Sequence, residues 1–340
     1  MDAHEITRRE FVKVGTAGAA ALVIGGSTAM AEPPMPERAL GRTGHRVRLF
    51  SLGGQATLEK PGTHDESIAI INRAIDLGVN YIDTAAAYGR SRTPGDTTPP
   101  ISQTYIGEVM KTRRKEVFLA TKTNRRTKDE ALKQLDESLK LLRTDRIDLW
   151  QIHNVSTGAQ LEQIFGPSGV IEALQQARDQ KIVRFLGITG HADPRVLAKA
   201  IDRFPFDAIL MAINPADRHR PDVAFIEKLL PLANQKQMGV IGMKIPARGR
   251  IFREGGITTI KDSLTYVLTQ PVSTVIIGCD NVKQLEENIA IAAAFTPLTR
   301  AEQARIEGLT ASYASEAAFF KTGGAGFGAP RGRDDQNMDY

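Results

Sequence analysis

Four side chains stand out for what their types and spacing could do together: Asp83, Tyr88, Lys122 and His153. Residues 79–82 read as a short buried strand that stops at Asp83. The chain then turns through Thr-Ala-Ala-Ala to Tyr88 and Gly89. Residues 117–121 form a second apolar run that stops at Lys122, and residues 147–152 a third that stops at His153. Each has an ordinary explanation alone: a strand-end aspartate caps a turn, a loop tyrosine packs, a lysine is solvated, a histidine is structural. Four such groups on three strand tips are harder to explain that way, because α/β folds gather their chemistry at the carboxyl ends of strands.

The chemistry that suits them is proton transfer. An unperturbed phenol titrates near pH ~10, and an adjacent ammonium favours the phenolate and lowers that value. Lys122 beside Tyr88 is therefore expected to make Tyr88 a general acid, with Asp83 holding Lys122 charged and in place. His153 is expected to hydrogen-bond and orient the reacting oxygen. Protonating a carbonyl oxygen while hydride arrives at carbon fits this set. No side chain supplies hydride, so a nicotinamide must.

Elements alternate along the chain in a way that could position these groups. After a proline-rich linker at 32–37, residues 38–47 suggest a small hairpin around Arg42-Thr43-Gly44. Strands are expected at 48–52, 81–83, 117–121, 147–152, 183–188, 208–213, 240–243 and 274–277. Helices are expected at 65–77, 102–110, 129–142, 169–179, 194–201, 223–232, 260–268, 282–294 and 301–309. About eight strand–helix units over roughly 270 residues have the rhythm of one α/β domain, a single (β/α)8 TIM barrel with an N-terminal hairpin. A doubly wound sheet would need a glycine-rich phosphate turn after its first strand, and Leu52-Gly53-Gly54-Gln55 does not provide one. The barrel is assigned to 32–317. The glycine-rich and polar residues 318–340 read as a flexible tail.

Composition narrows the function further. The net charge is +5 and the pI near 9.2, but the charge is dispersed, with no basic stripe interleaved with aromatics. That argues against nucleic acid as a partner. The single cysteine, Cys279, excludes an internal disulfide framework, a cysteine-rich zinc site and an iron–sulfur cluster. At the N-terminus, Arg8-Arg9-Glu10-Phe11-Val12-Lys13 precedes a mildly apolar run to Met30, and Ala29-Met30-Ala31 offers small residues for cleavage. Residues 1–31 resemble a twin-arginine export signal. That resemblance implies engagement of the twin-arginine machinery, export in the folded state, and a periplasmic or secreted protein. The run is marginal as a membrane anchor, so no stable insertion is expected after cleavage.

Asp83-x-Ala85-x-x-Tyr88-Gly89, Thr121-Lys122-Thr123 and Arg146-Ile147-Asp148-Leu149-x-x-x-His153 resemble the three signature stretches of the aldo-keto reductases. The resemblance spans residues 38–310 in order and spacing. It implies the tetrad Asp83, Tyr88, Lys122 and His153, and a dinucleotide lying across the barrel mouth without a Rossmann fold. Thr189-Gly190 stands where the family usually places a Ser-Asn pair on the carboxamide; Thr189 can substitute, while Gly190 has no side chain to offer. Asn214 falls in the nicotinamide neighbourhood. Met243 stands where many members stack a tyrosine. Lys244, Arg248 and Arg250 lie in the loop that straps the pyrophosphate.

Residues 277–288 resemble the adenosine-binding element, with Glu287 and Asn288 matching adenine contacts. Gly278 and Gln284 replace a Lys and an Arg common in NADP-preferring members, as in the potassium-channel β-subunit-like branch, which still binds NADP. NADP is the cofactor implied, with NAD open. The substrate implied is a small aldehyde, ketone or alcohol, walled by residues 90–102 and 154–168, with Trp150 in the core. An alternative is a cofactor-binding sensor or accessory subunit with incidental turnover.

Overall fold

The computed structural model describes residues 34–91 and 98–321; the expected export signal at 1–31, residues 92–97 of the expected wall at 90–102, and residues 322–340 lie outside these. A two-stranded antiparallel hairpin, β1 (Glu37–Ala39) and β2 (Arg46–Arg48), precedes eight parallel strands. These are β3 (Phe50–Gly53), β4 (Tyr81–Asp83), β5 (Phe118–Thr123), β6 (Ile147–Ile152), β7 (Val183–Gly190), β8 (Ala208–Ala212), β9 (Gly239–Met243) and β10 (Thr274–Ile277). They close into a barrel, with β10 paired to both β9 and β3. The chain is an α/β (β/α)8 barrel with an N-terminal hairpin.

Because side chains alternate along a strand, Asp83 shares its face with Tyr81, and Lys122 shares its face with Ala120 and Phe118. The lower layer is aromatic. Phe118 stacks on Tyr81 at 5.4 Å and on Phe185 at 6.0 Å, and His45 of the hairpin caps it at 4.6 Å. The hairpin thus closes the amino end and the tetrad occupies the carboxyl end. Trp150 is 1% exposed, in the core as expected.

The helices are α1 (His64–Asp76), α2 (Ile101–Arg113), α3 (Lys128–Leu141), α4 (Gly158–Phe165), α5 (Val170–Asp179), α6 (Pro194–Arg203), α7 (Phe225–Lys228), α8 (Leu230–Gln235), α9 (Ile260–Thr269), α10 (Val282–Ala293), α11 (Arg300–Thr310) and α12 (Ala314–Ala317). Three places differ from expectation. The helix at 223–232 is instead two short pieces, α7 and α8, separated at Leu229, with Pro231 in the first turn of α8 and no N–H there to carry the ladder across. The wall at 154–168 contains α4, started by a capping box between Thr157 and Gln160. The tail does not begin at 318: Ala318, Phe320 and Lys321 are buried, and Lys321 pairs with buried Asp217 while donating to the Val223 carbonyl at 2.8 Å.

Among the described residues no helix is long and apolar enough to cross a membrane, and no cluster of His, Cys, Asp and Glu could hold a metal ion.

Candidate active site

Asp83 ends β4, Lys122 lies in β5, and His153 follows β6 directly. Neighbouring strands hold them in register, with Asp83 opposite Ala120 and Lys122 opposite Gln151. Tyr88 sits in the turn after β4, where its N–H bonds the Ala85 carbonyl at 3.1 Å. Gly89 follows with φ 71°, and a β-carbon there would lie 2.7 Å from the Glu59 carbonyl oxygen, so glycine is required.

The structure brings the four together. The Lys122 amine donates to the Asp83 carboxylate, to the Thr84 carbonyl at 2.8 Å and to the Tyr88 Oη at 3.2 Å. The second Asp83 oxygen accepts from the Gln151 amide at 3.3 Å. The His153 ring stands edge-on to the Tyr88 ring, centroids 5.7 Å apart.

Burial governs their proton affinities. It pushes the Asp83 carboxyl up and the Lys122 amine down, and only their mutual contact opposes both shifts. Tyr88 does not have the lowered value expected from its lysine. Desolvation raises the phenol well above its ordinary value, and the charges of Asp83 and Glu59 add to the rise against Arg248. The reason is that the Lys122 charge is offset by Asp83, so the phenol faces a nearly neutral pair in a poorly solvated site. His153 is held well below the usual imidazole value by burial, then by Lys122, Arg126 and Lys244. At neutral pH the site therefore holds a protonated phenol and a neutral imidazole.

The cofactor candidates divide into groups. Thr189 is fully buried at the tip of β7, and its Oγ1 has no hydrogen-bond partner among the described residues. The same holds for Gln151 Oε1. The Gln151 side chain passes across Gly187, where a β-carbon would lie 2.9 Å from its Cγ. Asn214 is committed to scaffolding: it donates to the carbonyls of Lys244 at 3.2 Å and Ala317 at 3.1 Å, and accepts from the Ala216 N–H at 3.0 Å. Met243 is buried at the end of β9. The strap after it is strained, with left-handed backbone at Lys244 (φ 64°), Ala247 (φ 50°) and Arg248 (φ 55°). Lys244 reaches Gln55 Oε1 at 3.5 Å, and burial with Arg248 pushes its amine down to about 7. Arg250 stacks on Phe319 at 4.3 Å.

Around α10, Gln284 accepts from the Asp280 N–H at 2.9 Å, and exposed Glu287 pairs with Lys283 at 3.8 Å. Asn288 turns inward onto Cys279 Sγ at 3.6 Å. Contacts thus tie the tetrad into one cluster, while the α10 residues form a separate one.

Four polar residues of the mouth escaped the sequence reading. Gln151 holds Asp83, Gln55 meets Lys244, and His191 bonds Asn154 Oδ1 at 2.9 Å. Arg126 donates to the carbonyls of His153 and Asn154 at 2.7 and 3.3 Å. A weak signal was available: Gln151 lies two residues before His153, the spacing of one strand face at the end of β6.

Residues 49–255 match the model of the aldo/keto reductase family. The chain belongs to the aldo/keto reductase family. All four tetrad residues fall inside the match; α10 lies beyond it.

Among curated relatives, the uncharacterized oxidoreductase YqkF of Bacillus subtilis is 27% identical over 310 residues, covering 76% of this chain and 92% of that protein. L-galactose dehydrogenase of Arabidopsis thaliana is 27% identical over 290 residues, covering 74% and 86%. Among solved structures, aldo-keto reductase AKR11C1 from Bacillus halodurans in its holo form superposes with a TM-score of 0.66 at 24% identity, covering 81% and 96%. An aldo-keto reductase from Klebsiella pneumoniae in complex with NADPH gives 0.66 at 19% identity, covering 82% and 96%.

Proposed function

We propose that this aldo/keto reductase interconverts a small aldehyde or ketone with its alcohol using NADP(H), with Tyr88 as proton donor in the reducing direction. The observation that carries the reading is the Lys122–Tyr88 hydrogen bond of 3.2 Å, with Lys122 itself held by Asp83. Charged Lys122 can only donate, so the phenol's own hydrogen is left for a substrate oxygen. The raised phenol value keeps that hydrogen present. Neutral His153 has one ring N–H with which to orient the carbonyl oxygen.

The chain's residues fit a nicotinamide dinucleotide. Thr189 Oγ1 and Gln151 Oε1, two of the buried acceptors without partners among the described residues, suit the donor hydrogens of a carboxamide. Lys244, Arg248 and Arg250 would face the phosphates, and Gln284, Glu287 and Asn288 the adenosine end. When bound, the reduced nicotinamide supplies the hydride. NADP is favoured over NAD by the relatives solved with NADPH or with NADP.

Purified protein should consume NADPH with a broad aldehyde panel. Tight NADPH binding without turnover on any member would instead favour the sensor reading. Supporting that second reading, the strap is clamped from the C-terminal side: Tyr313 Oη bonds the Ile251 carbonyl and the Ile257 N–H, and Arg253 pairs with Glu316. A dissociation rate for NADP(H) slower than any turnover would establish it.

We also propose twin-arginine export, on the Arg8-Arg9 motif. Changing both arginines to lysine should leave the protein in the cytoplasmic fraction; unchanged export would refute it.

A further inference from the structure

Among the described residues, Arg126 is a cation without an anion. It lies beyond β5, one strand from the imidazole, and its main-chain carbonyl is fixed by the Val170 N–H at 2.9 Å at the start of α5. Its Nη2 grips the tip of β6 through the His153 carbonyl at 2.7 Å and the Asn154 carbonyl at 3.3 Å. Its Nη1 is sealed from solvent and has no hydrogen-bond partner among the described residues. Its neighbour Arg125 has a carboxylate, Glu130 at 3.9 Å; Arg126 has none among the described residues. The electrostatics agree: burial pushes the guanidinium down to about 10, with no carboxylate opposing the shift. A half-buried guanidinium with unused N–H groups is unfavourable until an anion meets it.

Its position says which anion. The carbonyl it bonds belongs to the residue whose ring would orient the reacting oxygen. The guanidinium charge also reaches that ring, where it helps to hold the imidazole below its usual value, so an anionic substituent on a group held by His153 would lie within its field. The other mouth cations, Lys244 and Arg248, lie in the strap across the barrel and face the cofactor phosphates in the reading above.

We propose that Arg126 is a specificity residue: it selects carbonyl substrates bearing an anionic oxygen group, a carboxylate or a phosphate, over neutral ones. The inference rests on the reductase reading and adds the substrate class. A side chain acting only as a tie for the β6 tip would serve every substrate alike, and this separates the two roles.

The test compares kcat/KM for 4-formylbenzoate, 4-formylphenyl phosphate and neutral 4-methylbenzaldehyde with NADPH. The wild type is expected to favour at least one anion by about tenfold, and Arg126→Gln should collapse that ratio mainly through KM, with Arg126→Lys keeping part of it. Added salt should compress the wild-type ratio and leave the Arg126→Gln ratio flat. NADPH binding by fluorescence shows that each variant is folded. If all three substrates decline together in Arg126→Gln, or the wild type favours the neutral aldehyde, the inference is overturned while the reductase reading stands. If the wild type reduces none of them nor any other aldehyde, both are overturned.

Discussion

Lys122 gives a hydrogen bond to the Tyr88 Oη at 3.2 Å while its amine is fully buried, and the same amine lies 4.7 Å from the Tyr88 ring centroid. One ammonium thus serves the carboxylate below it and the phenol above it.

This has a consequence for stability. Lys122→Met leaves the Asp83 carboxylate buried with, among the described residues, only the Gln151 amide, which should cost about 3–5 kcal/mol, because breaking one partner of a buried pair strands the other charge. Pairing it with Asp83→Asn removes the stranded charge, so the double variant should unfold at higher urea than the single. A double variant no more stable than Lys122→Met would show that the pair is not coupled as described.

Lys244 predicts a pH dependence of cofactor binding. Its folded value is about 7, below the ordinary amine, chiefly through burial. The amine is therefore charged below pH 7 and discharges as pH rises through that value. NADP affinity should weaken from pH 6 to 8.5, and Lys244→Met should flatten the slope. For stability the sign is opposite. The unfolded chain holds this proton more tightly between pH 7 and the ordinary lysine range, so this group's contribution to stability rises with pH there. Calorimetric titration across that interval checks the first claim.

The C-terminal segment offers a third expectation. A chain ending at Lys321 should melt with the full-length protein. A chain ending at Ala317 exposes the site vacated by Phe320 and leaves Asp217 without Lys321, so it should lose several kcal/mol. Equal melting temperatures for the two truncations would return residues 318–321 to the tail.

Where strand and helix periods were unbroken, the sequence was legible: residues 81–83, 147–152 and 274–277 match β4, β6 and β10 to the residue. What it hid depends on three-dimensional closeness. Thr189-Gly190 departs from the family's usual pair, and the structure explains the departure: a β-carbon on Gly190 would lie 2.5 Å from the Val155 carbonyl oxygen and press on Leu197. The Asn214 side chain looks available in sequence, yet the Ala317 carbonyl that consumes it comes from 103 residues away. The Tyr88 proton affinity ran opposite to expectation because adjacency to lysine was visible and burial beside Asp83 was not. The start of α4 was readable in Thr157-x-x-Gln160, and a capping-box search would have found it.

The measurement closest to the central claim is single-turnover reduction of an accepted aldehyde by NADPH-loaded Tyr88→Phe. The phenol oxygen is the only atom removed, so NADPH should bind with the wild-type dissociation constant. The reduction rate should fall by about 10²–10⁴-fold, the range for loss of a positioned proton donor. A variant that reduces the aldehyde within a few-fold of wild type would contradict the assignment of Tyr88, and with it the role given to Lys122.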